Sequence, residues 1–121
     1  MSTKQTDIII KQGATFQTQY LVKSKDVSGN IIPTDLTGAV VKMEVRKSYA
    51  SPDLILDLTA DSYIYILNPL EGLIEVEIPA NITESMSFTN AVYDIKIVFP
   101  TGFVSRIAQG GVSLDPVVTR G

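Results

Sequence analysis

The chain predicts an all-β fold: an antiparallel sandwich of about seven to nine short strands, with at most one short helical turn near residues 80–87. Three observations carry this. Apolar and polar residues alternate at a period of two along most of the chain, helical periodicity is nearly absent, and turn signals recur at short intervals. Alternation of this kind means one buried face and one wet face, the habit of antiparallel sheets rather than of a parallel α/β core. A lone sheet would leave its apolar face in water, so a second layer has to cover it.

In order along the chain, "TFQTQYLV" places Phe16, Tyr20 and Val22 on one face and Gln17 and Gln19 on the other. "AVVKMEVR" sets Ala39, Val41, Met43 and Val45 against Lys42, Glu44 and Arg46. "DLILDL" opposes Leu54, Leu56 and Leu58 to Asp53, Ile55 and Asp57 less cleanly, and "SYIYIL" alternates Tyr63 and Tyr65 with Ile64 and Ile66. "GLIEVEI" puts Ile74, Val76 and Ile78 inside and Glu75 and Glu77 outside. "PANITESMSF" offers the helical turn, with Asn81 as its cap, bridging the two sheets. "VYDIKIVF" then returns Tyr93, Ile95, Ile97 and Phe99 to one face. The clearest turns are Ser28-Gly29-Asn30, Ser51-Pro52, the stretch from Asn68 to Gly72, and Pro100-Thr101-Gly102. Each strand buries about three large apolar side chains at roughly 1.5–3 kcal/mol apiece, enough over seven or eight strands to oppose chain entropy.

Pro100-Thr101-Gly102 predicts a three-residue hairpin between Phe99 and Phe103, with proline at the first corner of a type I turn and glycine in the left-handed position. The register that follows pairs Ile97 with Ser105, Ile95 with Ile107, Val98 with Val104 and Lys96 with Arg106. Two facing cations repel, and Asp94, diagonal to Arg106, offsets this. Phe99, Phe103, Ile95 and Ile107 are expected in or near the core. Gly110 and Gly111 are expected to bend the chain before a last strand at "VSL"; a positive φ at Gly111 would make Gly111→Val destabilising.

Composition limits the chemistry. A length of 121 residues suits one domain, spanning 1–121, and 45% hydrophobic with 19% charged residues suits a packed core. Cysteine and histidine are both absent, which removes thiol chemistry, disulfides, Ser-His-Asp catalysis and histidine metal sites. A net charge of −3 disfavours nucleic acid as a general partner. The apolar run in "MSTKQTDIII" is too short for a signal-peptide core, and no stretch is long enough to span a membrane as a helix. Eight acids and no basic residue lie between Lys47 and Lys96, a solvated acidic face or a docking patch for a basic neighbour. Asp53, Asp57 and Asp61 are too widely spread on a strand to hold one ion. No phosphate loop or paired-carboxylate motif stands out, so neither an enzyme nor a cofactor is expected. Tyr63 and Tyr65 could stack on a sugar ring, which keeps a carbohydrate-binding adhesion module as an alternative.

The residues also resemble a family. "DLTG" at 35–38 runs into a strand ending at Arg46. "GLIEVEIP", a Tyr93-Asp94 strand, a turn at Gly102, an Arg106 strand, Gly111-Val112 and the terminal Val118-Thr119-Arg120 follow. This order is similar to small bacteriophage virion proteins of the tail, baseplate and fibre-attachment kind, and to N-terminal domains of baseplate proteins that hold receptor-binding proteins. The resemblance covers residues 33–120 in short pieces. It implies an immunoglobulin-like sandwich without catalysis, assembled with other phage structural proteins, and as a homo-oligomer, in a symmetric particle put together in the host cytoplasm. Tail and capsid positions, including capsid decoration, both stay open. With the sequence stopping at Gly121, a long fibre shaft is not expected. Residues 1–6 and 115–121 are expected as extended arms; deleting 1–6 is expected to leave folding intact and weaken assembly. The contact residues expected are Asp94, Lys96 and Arg106 on the hairpin, Glu75 and Glu77 on the acidic face, Tyr63, Tyr65 and the terminal Arg120.

Overall fold

The computed structural model describes residues 3–119, and in it strands dominate. Eleven strand segments form: β1 (Lys4–Gln5), β2 (Ile8–Lys11), β3 (Phe16–Leu21), β4 (Lys23–Lys25), β5 (Ile31–Pro33), β6 (Val40–Arg46), β7 (Leu54–Asp57), β8 (Ile64–Asn68), β9 (Leu73–Ile78), β10 (Asn90–Val98) and β11 (Val104–Asp115). They build a larger sheet in the order β1-β11-β10-β6-β7, with β2 also on β11, a second sheet β3-β9-β8, and a separate hairpin β4-β5. Counting β1 and β2 as one interrupted edge strand, the sandwich has eight strands. Their connectivity is that of an immunoglobulin-like fold: β3, β9 and β8 face β6, β10 and β11, with β7 as an added edge strand and the first strand crossing to pair in parallel with the last.

The alternation read from the sequence accounts for the core. Val41, Met43 and Val45 of β6, Tyr93, Ile95 and Ile97 of β10, and Ile74, Val76 and Ile78 of β9 are all buried between the sheets. Phenol groups link the layers near one edge. Tyr20 of β3 donates to the Tyr93 hydroxyl at 3.4 Å, and Tyr93 donates to the Thr6 carbonyl at 2.6 Å. Burial raises the pKa of both phenols.

The expected helical turn is a short helix, α1 (Ala80–Glu84), between β9 of one sheet and β10 of the other, and a 3-10 turn at Pro69–Glu71, between β8 and β9, adds a second one beyond the expectation. The N-cap of α1 is Pro79, not Asn81, which lies within the first turn. Within residues 1–6, expected as an extended arm, Lys4 and Gln5 instead pair with Ala108 and Gln109 as a strand. The C-terminal stretch is held at Val117, whose N–H donates to Gln12 Oε1 at 3.1 Å.

The hairpin of β10 and β11 turns as its sequence predicts. Phe99 N–H donates to the Phe103 carbonyl, Gly102 N–H donates to the Phe99 carbonyl, each at 2.9 Å, and Gly102 has φ +88°. The first three rungs, Val98–Val104, Ile97–Ser105 and Lys96–Arg106, keep the predicted register. A bulge then intervenes, and Ile95 faces Ala108 rather than Ile107. The extra residue leaves Ile107 and Ala108 both buried. Phe103 is corrected from core to surface; its ring still meets Phe99 at 6.1 Å between centroids. Leu54 is likewise exposed, because β7 is an edge strand with its own bulge opposite Val45 and Arg46.

Gly110 and Gly111 do not end one strand and start another. β11 runs unbroken through both, and neither has positive φ. What Gly110 allows is close approach: a Cβ there would collide with the Thr6 carbonyl, where the edge strand is interrupted between β1 and β2. In this interruption the Asp7 carboxylate takes the Gly111 N–H at 2.8 Å.

Candidate functional site

The outward side of the larger sheet is organised in rows across strands. Pairing of β6 with β10 and of β10 with β11 puts Val40, Val98 and Val104 side by side at the hairpin end. The next row is Lys42, Lys96 and Arg106, and the one beyond it Glu44, Asp94 and Gln109, extended by Asp57 on β7. An apolar row, a cationic row and a largely anionic row therefore lie in sequence, at the roughly 7 Å step of two strand residues.

Facing cations repel across a strand pair, and at Arg106 the neighbouring anionic row offsets this. Arg106 Nε lies 3.5 Å from Asp94 Oδ2, the diagonal pairing expected from the hairpin, and its Nη1 donates to Gln109 Oε1 at 3.2 Å. Arg46 is held differently. Its guanidinium binds Glu44 Oε1 at 2.9 Å and the Pro52 carbonyl at 2.8 Å, which fixes the loop after β6. The Lys42 and Lys96 side chains are exposed. Shallow depressions of about 260 and 180 Å³ share Glu44, Asp94 and Lys96 in their walls; Lys42, Asp57 and Thr59 complete the first, Arg46, Ser48 and Tyr49 line the second.

The smaller sheet presents a different surface. Glu75 is on its outer side yet nearly enclosed, because its cross-strand neighbours close over it. The Tyr65 hydroxyl donates to Glu75 Oε2, and the side-chain amides of Gln17 and Gln19 donate to Oε1 at 3.1 and 3.2 Å. These bonds, that of Tyr65 foremost, hold the Glu75 carboxyl below its usual range against the opposing effect of desolvation. The same bond, with burial and the nearby carboxylates, pushes the Tyr65 phenol up to about 12. Glu77 is exposed and accepts from Gln17 at 3.3 Å.

The expected contact residues thus divide between two surfaces. Asp94, Lys96 and Arg106 come together on the larger sheet, joined by Lys42 and Glu44, which the hairpin sequence could not reveal because they lie on β6. Glu75, Glu77 and Tyr65 come together on the smaller sheet. Tyr63 is half-buried against the core, so the two tyrosines are not equivalent rings on one open platform. Asp57 spends its carboxylate on the N–H groups of Thr59 and Ala60. Arg120 lies outside the described residues. A further depression, of about 530 Å³, is elsewhere, between the edges at β1 and β3, lined by Lys4, Gln19, Tyr20 and Ile107 among others.

No family model and no curated protein sequence matches the chain. Among solved structures, the chain is similar to an R347E mutant of the SrpA adhesin from Streptococcus sanguinis at 14% identity and a TM-score of 0.45, covering 90% of this chain and 54% of that one. It is also similar to the extracellular domains 3–5 of Drosophila OTK at 15% identity and a TM-score of 0.37, covering 89% of this chain and 32% of that one. The chain therefore spans about half or less of the length of each.

Proposed function

We propose that this chain is a non-catalytic structural module of a bacteriophage virion, working by protein–protein contact through the outer face of its larger sheet. One observation carries the contact reading: a row of valines, exposed at Val40 and Val104, a cationic row and an anionic row stand in register on three adjacent strands. A flat face of this kind gives an apolar strip for burial and charges of both signs for orientation. The virion assignment is supported by the order of short motifs from Asp35 to Arg46 and from Tyr93 to Val112, which resembles tail and baseplate proteins. The neighbours would be other structural proteins of the particle and further copies of the chain.

The test is particle incorporation. The chain is expected in gradient-purified virions by mass spectrometry, and its density locates it on tail or capsid. A Lys96→Glu/Arg106→Glu variant with unchanged far-UV circular dichroism and unfolding midpoint is expected to be missing from particles. Absence of the wild-type chain from virions overturns the proposal. Saturable glycan binding weakened by Tyr65→Ala would instead establish a carbohydrate-binding module.

A further inference from the structure

The outer face of the larger sheet is complementary to itself. The outward residues of β10 are Val92, Asp94, Lys96 and Val98, and those of β6, which runs antiparallel to it, are Arg46, Glu44, Lys42 and Val40 in the same direction. A fourth row therefore follows the valine, cationic and anionic rows described above. In it Val92 stands between Arg46 and Gly111, with Leu54 beyond Arg46 on β7. Val40, Val104 and Leu54 are about half exposed. From the hairpin end the order is apolar, cationic, anionic, and apolar again around the stem of Arg46.

Within one molecule this order sets like charges side by side. Lys96 faces Lys42 on one strand and Arg106 on the other, and Glu44 faces Asp94 and Asp57. Like charges directly opposite destabilise a strand pair. The bonds from Arg106 to Asp94 and from Arg46 to Glu44 relieve part of this, while Lys42 and Lys96 form no ion pair among the described residues. Alternating signs within each row would have balanced the face internally. Rows of a single sign are balanced instead by a second face that presents them in the opposite order.

A second copy presents that order. A half-turn about an axis lying in the face, across the strands and between the cationic and anionic rows, leaves each strand over its own counterpart and reverses the rows. By the observed register, Lys96 then stands over Asp94 of the second copy and Lys42 over its Glu44, each contact occurring twice. Arg106 stands over Gln109, Val98 over Val92, Val104 over the bare backbone of Gly111, and Val40 over the apolar stem of Arg46. An axis along the strands would put cations over cations, so the charges select between the two. The strands of the two faces come out aligned, as in sheet-on-sheet packing.

We propose that two copies of this chain pair face to face about the crosswise axis. The proposal rests on the contact reading of this face and names its partner. Four strands at about 4.8 Å and four rows at about 7 Å give roughly 500 Å² a side. The total of about 1,000 Å² is at the lower bound for a specific interface, so the pair is weak in dilute solution and strengthened where a particle holds copies together. The contact is isologous and closes at two, which leaves the other surfaces of both copies for further neighbours.

Sedimentation equilibrium of the full chain, at concentrations up to about 1 mM, is expected to show monomer and dimer and nothing larger. Lys96→Asp alone and Asp94→Lys alone are each expected to weaken the dimer at least about tenfold, because one substitution spoils two symmetric ion pairs. The chain carrying both, Lys96→Asp/Asp94→Lys, is expected to regain its own dimer and to refuse the wild-type chain, whose charges it now matches sign for sign. The wild type gives a second readout that needs no variant. Carbodiimide coupling in a mixture of ¹⁵N-labelled and unlabelled chains is expected to join Lys96 to Asp94 and Lys42 to Glu44 in peptides of mixed label. A monomer at every concentration, a dimer indifferent to the charge exchange, or mixed-label links confined to other residues would each overturn the proposal. A monomeric chain that is nevertheless found in virions removes the self-pairing and leaves the virion reading standing. A charge-sensitive dimer of a chain absent from virions does the reverse.

Discussion

Tyr65 and Glu75 fix each other in opposite protonation states. The phenol is neutral and donating, the carboxylate charged and accepting, so the pKa of one is raised and that of the other lowered. The signs give opposite pH windows. A lowered folded pKa makes Glu75 contribute stability above its unfolded value near 4.3, lost as pH falls through the folded value. A raised folded pKa makes Tyr65 contribute below about 10, lost as pH rises through about 12. Tyr65→Phe is expected to move the Glu75 titration upward toward the ordinary range, followed by carboxyl-carbon NMR; an unchanged titration would show that Gln17 and Gln19 suffice. A second contrast at this scale lies in adjacent glycines. A Cβ on Gly110 meets the Thr6 backbone, while one on Gly111 finds its nearest neighbour, Asp7 Oδ1, at 3.4 Å. Gly110→Ala is expected to cost about 1–3 kcal/mol and Gly111→Ala far less, measured by urea unfolding. Equal costs would mean that the backbone at Thr6 moves freely.

The β10-β11 hairpin shows what local sequence settles and where it stops. Pro100-Thr101-Gly102 specifies the turn, and the turn specifies the three nearest rungs. Gly102→Val is therefore expected to lower stability by about 1–2 kcal/mol through backbone strain alone, since a Cβ there has open space around it; an unchanged chemical-denaturation midpoint would argue that the loop relaxes to another turn. Beyond those rungs the bulge at Ile107 breaks period-two counting, and nothing in "SRIAQGG" announces it, although it leaves Ile107 and Ala108 both buried. The same limit hid the edge strand. "KQTDIII" has no pattern of its own; it becomes β1 and β2 only because β11 offers a free edge. Alternation did disclose β3, β6, β9 and β10, whose two faces meet unlike surroundings. Of the contact face, Asp94, Lys96 and Arg106 were legible, being close in a hairpin, whereas Lys42 and Glu44 join them only through pairing of β6 with β10. The enclosure of Glu75 was illegible for the same reason, as its partners come from β3 and β8.

At the level of the whole molecule, the first strand closes the sandwich. Tyr20 belongs to the smaller sheet and Tyr93 to the larger, and the hydroxyl line between them ends on the carbonyl of Thr6, between β1 and β2. Removing the segment before β2 takes away that acceptor, the β1 pairing and the Asp7 bond to Gly111 at one stroke. An arm would be dispensable for folding; a strand that accepts a hydrogen bond from a buried phenol is not. A chain beginning after Asp7 is accordingly expected to be less stable by about 1–3 kcal/mol, the usual cost of leaving a buried donor without its partner, read as a lower unfolding midpoint. Tyr93→Phe supplies the control. Without the hydroxyl there is no donor to orphan, so the truncation should cost less in the Tyr93→Phe background than in the wild type, and the difference between the two costs measures the coupling. Additive effects would show that β1 stabilises the sheet edge without reaching the layer between the sheets, and that the tyrosine line is a consequence of closure rather than part of its cause.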